Sequence, residues 1–540
     1  MFDTLEQHIT DVFTVVLYQL YAVTFYYATF MSFISGLVIP TLYFDKPEKQ
    51  DKGSLLRRVF ICISLFFFFF GTLANLTIPA LIGKLSTMNV AQFSYPFMMY
   101  FSLPLFFLGI VIHVFLRRTI TPMLNKASKD LTQKTDIVRD TRTDVRTVKA
   151  LLPDTVMYNP NDHINLSKGV FVGLDCDHQP QYIPLKELQK QHADIIGTTG
   201  AGKGVATGLI LSQLIEAGEG VFVLDPKDDE FAPHLMKQAC KKAGKPFYLI
   251  DLNKKAPQLD LLAGATPEQI EELLVAGFSL AEKGDIADFY RIDDRKAARV
   301  APENATEEER QSFKGLLDST YVQGIKDTIK AFYGKLEELA LVDSINAVGG
   351  MNLKDVFDEG GCCYIIGSLR NSKILMTQKM ILIRLFQLAE MRDRVKETPR
   401  PIAIFLDELK YHISKPAMEG LGAARDKGIH MFLAHQSIAD LRDCPADLNG
   451  DSVVGAVVEN TKFKLVYRLQ DPDTAKWVAE MSGIILVDDE TRYVETDKSL
   501  TEIVDNKRNI RMAERQYVDT NMLLNLPSFV SFIFTTNDVP

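Results

Sequence analysis

Three long apolar runs that contain no Asp, Glu, Lys or Arg occupy the N-terminal part of the chain. They extend from Val12 to Phe44, from Val59 to Ile82 and from about Phe97 to Leu116. One helix needs about 20 apolar residues to cross a bilayer, so the second and third runs each suit one crossing. The first run is longer than one crossing requires and too short for two. Residues 1–118 therefore predict a transmembrane anchor of about three helices.

The basic residues around these runs predict their orientation. Five of them lie between the first and second runs: Lys46, Lys49, Lys52, Arg57 and Arg58. Arg117 and Arg118 close the third run, whereas the loop between the second and third carries only Lys84. Because cytoplasmic loops are enriched in Lys and Arg, the second and third runs are expected to form a hairpin with both ends in the cytoplasm. A cleaved signal peptide is disfavoured, since the N-terminus carries Asp3 and Glu6 instead of basic residues.

Residues 119–155 are predicted to form a charged juxtamembrane linker. Acidic and basic residues alternate there with little apolar periodicity, as in Lys126, Lys129, Asp130 and Lys134. This pattern is typical of a solvated helical stalk. An oligomer-forming coiled coil is the alternative, although the stretch lacks a clear seam of apolar residues at a and d positions.

The pattern changes to α/β from about residue 165. Short apolar runs that suit buried strands are Gly169–Leu174, Val221–Leu224, Cys363–Ile366, Ile402–Leu406, Met431–Ala434 and Phe529–Phe534. Between the second and third of these runs, about 261–345, the chain is charge-rich and helical with few strand signals, which predicts an inserted all-α subdomain. The α/β nucleotide-binding domain is accordingly assigned to 156–260 and 346–540.

A glycine-rich turn between a strand and a helix carries the strongest chemical signal. It has the sequence Gly197-Thr198-Thr199-Gly200-Ala201-Gly202-Lys203. Glycines let the backbone curl so that its N–H groups point at phosphate oxygens, and the lysine would reach the β- and γ-phosphates. The spacing matches the first seven positions of the Walker A pattern. The eighth is Gly204, where a Ser or Thr hydroxyl normally holds Mg²⁺, so phosphate binding is predicted and the metal contact is left open.

Two acids, Asp407 and Glu408, directly follow the apolar run Ile402–Leu406. A strand buried on both faces belongs in the middle of a parallel sheet, and its carboxyl end faces the ligand side. Asp407 is predicted to hold Mg²⁺ through water, and Glu408 to orient the attacking water or accept its proton. Acids at strand ends are common, but this pair follows a good Walker A match within the same α/β region.

The next predicted strand, Met431–Ala434, has a candidate residue on each side. Gln436 lies just past the strand, where it can sense the γ-phosphate or the attacking water. Arg425 precedes the strand and could act across a subunit boundary as an arginine finger, although a surface charge is the commoner role for such a residue. His430 and His435 have no partner pattern and are interpreted as structural.

Charge and cysteine content exclude some classes of function. The formal charge of −9 argues against a broad surface that coats nucleic acid, but it leaves room for a local basic loop or a ring pore. The six cysteines form no CxxC pair and no cluster with histidine, so neither a zinc site nor a disulfide framework is expected.

The order of the motifs resembles the type IV secretion coupling proteins of the TraD/TraG family, which are relatives of the FtsK/HerA translocases. The elements that carry the resemblance are the P-loop, the Asp225-Pro226-Lys227 strand end, the helical insert, the Asp407-Glu408 pair, the Gln436-Ser437 step and the segment Asn460–Arg468. The resemblance covers nearly the whole chain. It implies an α/β fold in which N-terminal transmembrane helices are followed by a RecA-like P-loop motor domain with an inserted all-α subdomain.

The resemblance also implies roles for individual residues, with ATP and Mg²⁺ as cofactors. The implied roles are phosphate binding for Lys203 and its loop, Mg²⁺ binding for Asp407, water activation for Glu408, a finger acting on the neighbour's ATP for Arg425, and a sensor for Gln436. Gly204 departs from the family pattern. Thr207, one turn further on, is not expected to supply the missing hydroxyl.

The function implied by the resemblance is that of a membrane-anchored ATPase that couples a substrate to a type IV secretion or conjugation channel. Such a protein would form a homo-hexamer below a pore of the bacterial inner membrane, with its motor domain in the cytoplasm. Its partners would be components of the secretion channel, a relaxase or relaxosome, and DNA or protein effectors. The insert at 261–345 would face the substrate side.

Two alternatives remain open from the sequence. One is a DNA translocase of the FtsK/HerA type, against which the membrane hairpin and the position of the insert both argue. The other is a nucleotide-binding receptor that recruits secretion cargo and hydrolyses little. Gly204 favours the receptor and Glu408 opposes it. A transporter is disfavoured because the apolar runs carry almost no ionisable residues.

Overall fold

The computed structural model describes residues 2–40, 55–120, 140–492 and 508–535 with 123 and 540, except for the single positions 89, 141, 143, 285, 394 and 397. The chain divides into two compact units. The first comprises 1–140 and 487–513, and the second comprises 141–486 and 514–540. Most of the predicted linker 119–155 lies outside the described residues.

Helices form the N-terminal part of the first unit. The α-helices are Phe2–Tyr26, Ala28–Val38, Leu55–Phe68, Ala74–Leu85, Ala91–Phe97 and Leu103–Phe115, and π-helical turns follow at Phe69–Leu73, Met98–Ser102 and Leu116–Ile120. Among the described residues, three continuous helical segments are long and apolar enough to cross a membrane, namely Thr4–Tyr26, Ile61–Leu85 and Ala91–Ile120. The first apolar run of the sequence contributes two helices, because the backbone at Tyr27 leaves the helical region with φ −97° and ψ 6°.

Small residues and buried polar side chains lie between these helices. A Cβ atom on Gly36 would lie 2.0 Å from the carbonyl oxygen of Phe106, and one on Gly109 would lie 2.6 Å from that of Phe33. Glycine at these positions therefore permits a close backbone approach between apolar helices. The amide of Asn75, fully buried, donates to the carbonyl oxygen of Thr24 across 3.1 Å.

An eight-stranded sheet forms the centre of the second unit, with the strand order β12-β9-β3-β8-β7-β4-β6-β5. Its strands are β3 (His192–Ile196), β4 (Gly220–Asp225), β5 (Phe247–Asp251), β6 (Gly361–Ile366), β7 (Ile402–Leu406), β8 (Ile429–His435), β9 (Thr461–Val466) and β12 (Phe532–Phe534). All neighbouring strands are parallel except β12, which pairs antiparallel with β9. Two further two-stranded sheets pair β1 (Val170–Leu174) with β2 (Pro180–Ile183), and β10 (Ile484–Arg492) with β11 (Arg508–Gln516).

Helices cover both faces of the central sheet, which explains why its middle strands are apolar throughout. Every residue of β3, β4, β6, β7 and β8 is buried. The helices that connect or flank the strands are Lys203–Glu216, Ala232–Ala243, Leu353–Glu359, Ser372–Glu390, Lys415–Ala424, Ile438–Arg442, Gly450–Asn460, Pro472–Met481 and Thr520–Asn525, with short helices at Val145–Val148 and Leu185–Leu188. This is the RecA-like α/β fold expected from the sequence.

The region between β5 and β6 is helical over most of its described residues. Its helices are Pro267–Phe278, Ala287–Tyr290, Ile292–Asn304, Phe313–Asp318, Thr320–Ile325 and Lys330–Ala340. The first begins with a capping box, in which Thr266 accepts from the backbone of Gln269 and the Gln269 side chain accepts from the backbone of Thr266. The fully buried Phe278, Phe313 and Phe332 join the same hydrophobic core as the sheet, so the insert packs directly on the motor fold.

Two strand predictions need correction. No strand is predicted from the sequence at β5. This strand lies at the edge of the sheet and its middle residue Leu249 is exposed, so it lacks the continuous apolar signal of a central strand. The strand predicted for Phe529–Phe534 is only Phe532–Phe534. Phe529 itself has a φ of 65°, which is incompatible with a strand.

Candidate nucleotide-binding and catalytic site

The loop between β3 and the helix Lys203–Glu216 has the backbone of a phosphate cradle. Gly200 and Gly202 adopt φ values of 76° and 120°, which favour glycine strongly over other residues. A Cβ atom on Gly202 would lie 3.1 Å from Cα of Phe529 and 3.2 Å from Cε1 of Tyr467. Glycine is thus required at this position both for its conformation and for the close approach of two aromatic residues.

The side chain of Lys203 is buried against the loop. Its ammonium group donates to the carbonyl oxygen of Gly197 and, across 3.2 Å, to that of Thr198. Burial is the main cause that lowers the pKa of Lys203, and the ammonium of Lys227 lowers it further, whereas the nearby Glu408 and Asp407 raise it. Lys203 therefore lies within the electrostatic reach of Asp407 and Glu408, as a shared nucleotide site requires.

Gly204 leaves open space at the position where a hydroxyl is usual. It is the second residue of the helix, and no heavy atom lies within 4 Å of the position that its Cβ would occupy. Thr207 is buried, and its hydroxyl donates to the carbonyl oxygen of Lys203 across 2.8 Å. The Thr207 hydroxyl is therefore committed to the helix backbone.

Asp407 and Glu408 follow the carboxyl end of β7, next to the end of β4. The backbone N–H of Asp407 donates to the carbonyl oxygen of Leu224 on β4 across 3.1 Å. Lys227, which lies just past β4, places its ammonium 2.5 Å from Oε1 of Glu408 and 3.4 Å from Oδ2 of Asp407. Glu408 has a left-handed backbone with φ 48°, a strained conformation that is common at functional sites.

Gln436 joins this cluster from β8, the strand between β3 and β7. Its side-chain amide donates to Oε1 of Glu408 across 2.8 Å, and its backbone N–H donates to Oδ2 of Asp440 across 3.1 Å. The same carboxylate oxygen of Glu408 thus faces both the ammonium of Lys227 and the amide of Gln436. The structure brings together the predicted catalytic acid and the predicted sensor.

The two acids have opposite pKa shifts. Burial raises the pKa of Asp407, and the negative charges of Glu408 and Asp225 add to this effect although Lys227 opposes it. Burial would also raise the pKa of Glu408, but hydrogen bonds from Lys227 and Gln436 outweigh it, so that its pKa is lowered. Glu408 is consequently held as a carboxylate at neutral pH.

Arg425 does not join this cluster. It begins the 3₁₀ turn Arg425–Lys427 before β8 and therefore lies at the amino end of the sheet, opposite the P-loop. Its side chain is 47% exposed and lies 3.7 Å from Asp426. Within one subunit Arg425 is remote from the acid pair, so a finger role requires a second copy of the chain.

Lys227 is the functional candidate that sequence reasoning did not select. A network fixes its loop, in which Asp225 accepts from the backbone N–H of Lys227 across 2.9 Å and from the hydroxyl of Tyr364 across 2.6 Å. In the sequence, the Asp225-Pro226-Lys227 strand end contributes to the family resemblance, but nothing there indicates a role for Lys227 itself. Lys227 reaches the acid pair because β4 is the direct neighbour of β7 in the sheet. Sequence periodicity does not give the order of the strands.

The residues present fit Mg²⁺ that is held chiefly by phosphate and water. Among the described residues, no group of three or more His, Cys, Asp or Glu side chains is placed to hold a metal ion. Mg²⁺ in nucleotide sites usually takes one or two carboxylates together with phosphate oxygens and several waters. Asp407, whose side chain is 20% exposed, can supply one such carboxylate.

Two segments of the chain, which together contain both parts of this site, match known domain families. Residues 170–343 match the central domain of the helicase HerA, and residues 401–528 match the TraM recognition site of TraD and TraG. Mobilization protein A of Escherichia coli is 30% identical over 326 residues, which are 60% of this chain and 60% of that protein. The chain thus matches about three fifths of the length of this relative.

Solved structures of the conjugative coupling protein TrwB have a similar fold. Its unbound monoclinic form gives a TM-score of 0.51 at 16% identity and covers 70% of this chain and 88% of TrwB. TrwB in complex with a non-hydrolysable ATP analogue gives a TM-score of 0.50 at 14% identity, with 70% and 89% of the two chains covered. At these identities the likeness shows the fold.

The sheet order, the P-loop and the acid pair define a RecA-like P-loop motor domain related to HerA. Within this class, the match of residues 401–528 to TraD and TraG and the similarity to the mobilization protein favour the coupling proteins. These matches support the resemblance of the motifs to the TraD/TraG-type coupling proteins.

Proposed function

We propose that this protein is a membrane-anchored ATPase that couples relaxase-bound DNA or protein cargo to a type IV secretion or conjugation channel and drives its transfer. The observation that carries the proposal is the convergence of Lys203, the Asp407-Glu408 pair and Gln436 at the carboxyl ends of three adjacent strands. The three apolar helices at the N-terminus support an anchor in the bacterial inner membrane, with the motor domain in the cytoplasm.

Each residue of the site has its own role in binding and hydrolysis. The loop 197–204 binds the phosphates, with Lys203 exchanging its carbonyl partners for phosphate oxygens. Asp407 holds Mg²⁺, which when bound neutralises charge on the phosphates. The ionised Glu408 accepts the proton of the attacking water, and Gln436 orients that water through the hydrogen bond it already makes to Glu408.

The proposal includes a homo-hexamer, in which Arg425 would act on the nucleotide of the neighbouring subunit. The exposed position of Arg425 at the amino end of the sheet supports action in trans. The helical insert at 261–345 would face the cargo. The proposed partners are the channel components, the relaxosome and its DNA, and protein effectors.

A second candidate, a receptor that binds nucleotide and recruits cargo with little hydrolysis, is favoured by two observations. Gly204 lacks the hydroxyl that usually contacts Mg²⁺, and Lys227 is paired with the carboxylate that would serve as the base. An FtsK/HerA-like translocase is the third candidate, and the match to TraD and TraG over 401–528 argues against it.

The test is ATP hydrolysis by the full chain in lipid nanodiscs, with and without single-stranded or double-stranded DNA. A Glu408→Gln variant is the matched control, since it keeps the size of the side chain and one acceptor oxygen but removes the carboxylate charge. We expect DNA-stimulated turnover that is lost in the variant. Nucleotide binding without turnover in both proteins would favour the receptor, and absence of nucleotide binding would overturn both proposals.

Coupling is tested in cells by the frequency of plasmid transfer from a donor in which this gene is replaced by the Glu408→Gln form. A motor role predicts loss of transfer while the variant protein is still present in the membrane. Unchanged transfer, with DNA-stimulated hydrolysis intact in the wild type, would favour the translocase that is not coupled to secretion.

A further inference from the structure

A turn from the C-terminal end of the chain lies directly on the P-loop. The backbone N–H of Phe529 donates to the carbonyl oxygen of Ala201 across 2.8 Å. The turn is fixed on its other side by Thr155, whose hydroxyl donates to the carbonyl oxygen of Ser528 across 2.7 Å. Cα and Cδ1 of Phe529 both lie 3.1 Å from the position that a Cβ on Gly202 would occupy. The phenyl ring is therefore in contact with the loop that binds phosphate.

Core packing does not explain this residue. Phe529 is 57% exposed, whereas the phenylalanines of the sheet and the insert, such as Phe222 and Phe332, are fully buried. Its φ of 65° also lies in the left-handed region, which is unfavourable for an aromatic residue. A strained backbone that keeps a large apolar side chain in solvent indicates a binding partner for the ring.

The strand order indicates what that partner is. The P-loop follows β3, and the acid pair follows β7, which is separated from β3 by β8. Phe529 lies on the opposite side of β3, where β9 and β12 continue the sheet. A nucleoside triphosphate whose terminal phosphate faces Asp407 and Glu408 must extend its base away from β7. The base then leaves the loop on the side of Phe529.

We propose that Phe529 is the stacking platform for the base of the bound nucleotide. This inference rests on the proposed nucleotide site and adds a subsite to it. Tyr467, buried beside the same glycine with its Cε1 3.2 Å from the Gly202 Cβ position, forms the floor on which the turn is held. Because every base has a π-face, stacking on a phenyl ring discriminates little between different bases. ATP and GTP should therefore depend on Phe529 to a similar extent.

The experiment is calorimetric titration of the full chain in detergent with ATP, GTP and inorganic tripolyphosphate, which has the phosphates but no base. The variants are Phe529→Ala, Phe529→Gly and Phe529→Trp. Glycine accepts the left-handed backbone, so the Phe529→Gly form removes the ring without straining the turn. Phe289→Ala is the matched control, because Phe289 is 73% exposed and lies in the helical insert.

We expect the affinity for ATP and for GTP to fall about 5- to 100-fold in the Phe529→Ala and Phe529→Gly forms, the range that stacking of one base supplies. The affinity for tripolyphosphate should stay unchanged, and the Trp form should retain ATP binding. Equal loss of ATP and tripolyphosphate would overturn the inference, because Phe529 would then only shape the loop. Unchanged ATP affinity would overturn it as well. Failure of the wild type to bind either ligand would instead refute the nucleotide site itself.

Discussion

The ammonium of Lys227 lies 2.5 Å from Oε1 of Glu408, the carboxylate expected to act as general base. The same ammonium is 3.4 Å from Oδ2 of Asp407, the expected Mg²⁺ ligand. Lys227 thus forms an ion pair with both acids and occupies the carboxylate that is expected to act as the base. Because a base that is paired with a cation accepts protons poorly, release of Lys227 is a step that can control hydrolysis.

Removing this charge should change the pH dependence of the enzyme. Lysine and Gln436 together hold the pKa of Glu408 below its usual range against the opposing effect of burial. Hydrolysis requires the ionised carboxylate, so the rate falls as pH drops through this pKa. In a Lys227→Gln variant the pKa of Glu408 rises, and the acid limb of the kcat profile should move to higher pH. The measurement is kcat at saturating ATP across the acidic and neutral range.

Lys242→Gln is the matched control for this experiment. Lys242 pairs with Glu216 across 2.8 Å, and the two residues lie near the carboxyl ends of two helices that flank the sheet. Its pH profile should coincide with that of the wild type. An acid limb that stays in place in the Lys227→Gln form would contradict the assignment of Glu408 as the titrating base.

A hydroxyl at position 204 should lower the Mg²⁺ concentration that ATP binding requires. The space around the Gly204 Cβ position is open, so Gly204→Ser introduces no clash. We expect the Mg²⁺ concentration needed for half-maximal ATP binding to fall about tenfold, which corresponds to a contact of about 1.4 kcal/mol. The measurement is the affinity for ATP at a series of Mg²⁺ concentrations.

Gly334→Ser is the control for the change in helix propensity that accompanies any Gly→Ser substitution in a helix. Gly334 lies in the helix Lys330–Ala340 with open space at its Cβ position, remote in sequence from the P-loop. Both substitutions should stabilise their helices by a similar amount, about 0.5 kcal/mol. The Mg²⁺ requirement should change in the Gly204→Ser form alone. An equal requirement in all three proteins would mean that the missing hydroxyl has been replaced by another ligand.

A buried charge pair behind the site should make stability depend on pH. Nε2 of His435 lies 2.9 Å from Oδ1 of Asp194, and neither side chain is exposed to solvent. Burial lowers the pKa of His435, but Asp194, with help from the carbonyl oxygen of Ser437 and from Asp440, raises it above the usual value. The folded state therefore binds a proton more tightly than the unfolded state. The free energy that this ion pair adds to folding is complete below the ordinary histidine pKa. It is lost as pH rises through the raised pKa of the folded state.

Asp194→Asn should remove this dependence and lower the free energy of unfolding by about 1 to 3 kcal/mol, because the buried His435 loses its ionic partner and is then neutral in the folded state. Trp477 is the single tryptophan of the chain and packs against the hydrophobic cluster that contains Ile196 and Val466, so its fluorescence reports on this unit alone. Asp393→Asn is the control, since Asp393 pairs with Lys396 at the surface. Stability that declines with pH equally in both variants would show that another group titrates.

Local sequence specifies two parts of the candidate site, namely the acid pair after β7 and the P-loop after β3. The run Ile402–Leu406 is apolar because β7 is buried on both faces, and the acids that follow it need no tertiary information to be found. The P-loop is likewise a local pattern, since its glycines are fixed by backbone conformation within seven residues.

The parts that depend on strand order were not predictable in the same way. Lys227 acts on Glu408 only because β4 lies next to β7 in space. Phe529 was included in a predicted strand because the aromatic run Phe529–Phe534 has high β-propensity. Its turn is set by contacts with Ala201 and Thr155, both more than 300 residues away in the chain. Periodicity along the sequence carries no signal of either relationship.

Asn75 should stabilise the helices of the first unit by satisfying a distorted turn. The π-helical turn Phe69–Leu73 interrupts the regular hydrogen bonding of its helix. The amide of Asn75 donates to the carbonyl oxygens of Phe70 and Gly71 across 3.0 and 3.3 Å, and to that of Thr24 on another helix across 3.1 Å. In an apolar environment these carbonyls have few other donors.

Asn75→Leu should therefore lower the stability of this unit by about 1 kcal/mol, the usual scale of such bonds between helices in membranes. The measurement is the temperature at which half of the detergent-solubilised protein loses its monodisperse elution. Thr77→Val is the matched control, because the exposed Thr77 donates only to the carbonyl oxygen of Leu73 in its own helix, across 2.9 Å. We expect the control to match the wild type. If both variants melt at the wild-type temperature, then packing of the apolar surfaces alone holds these helices together.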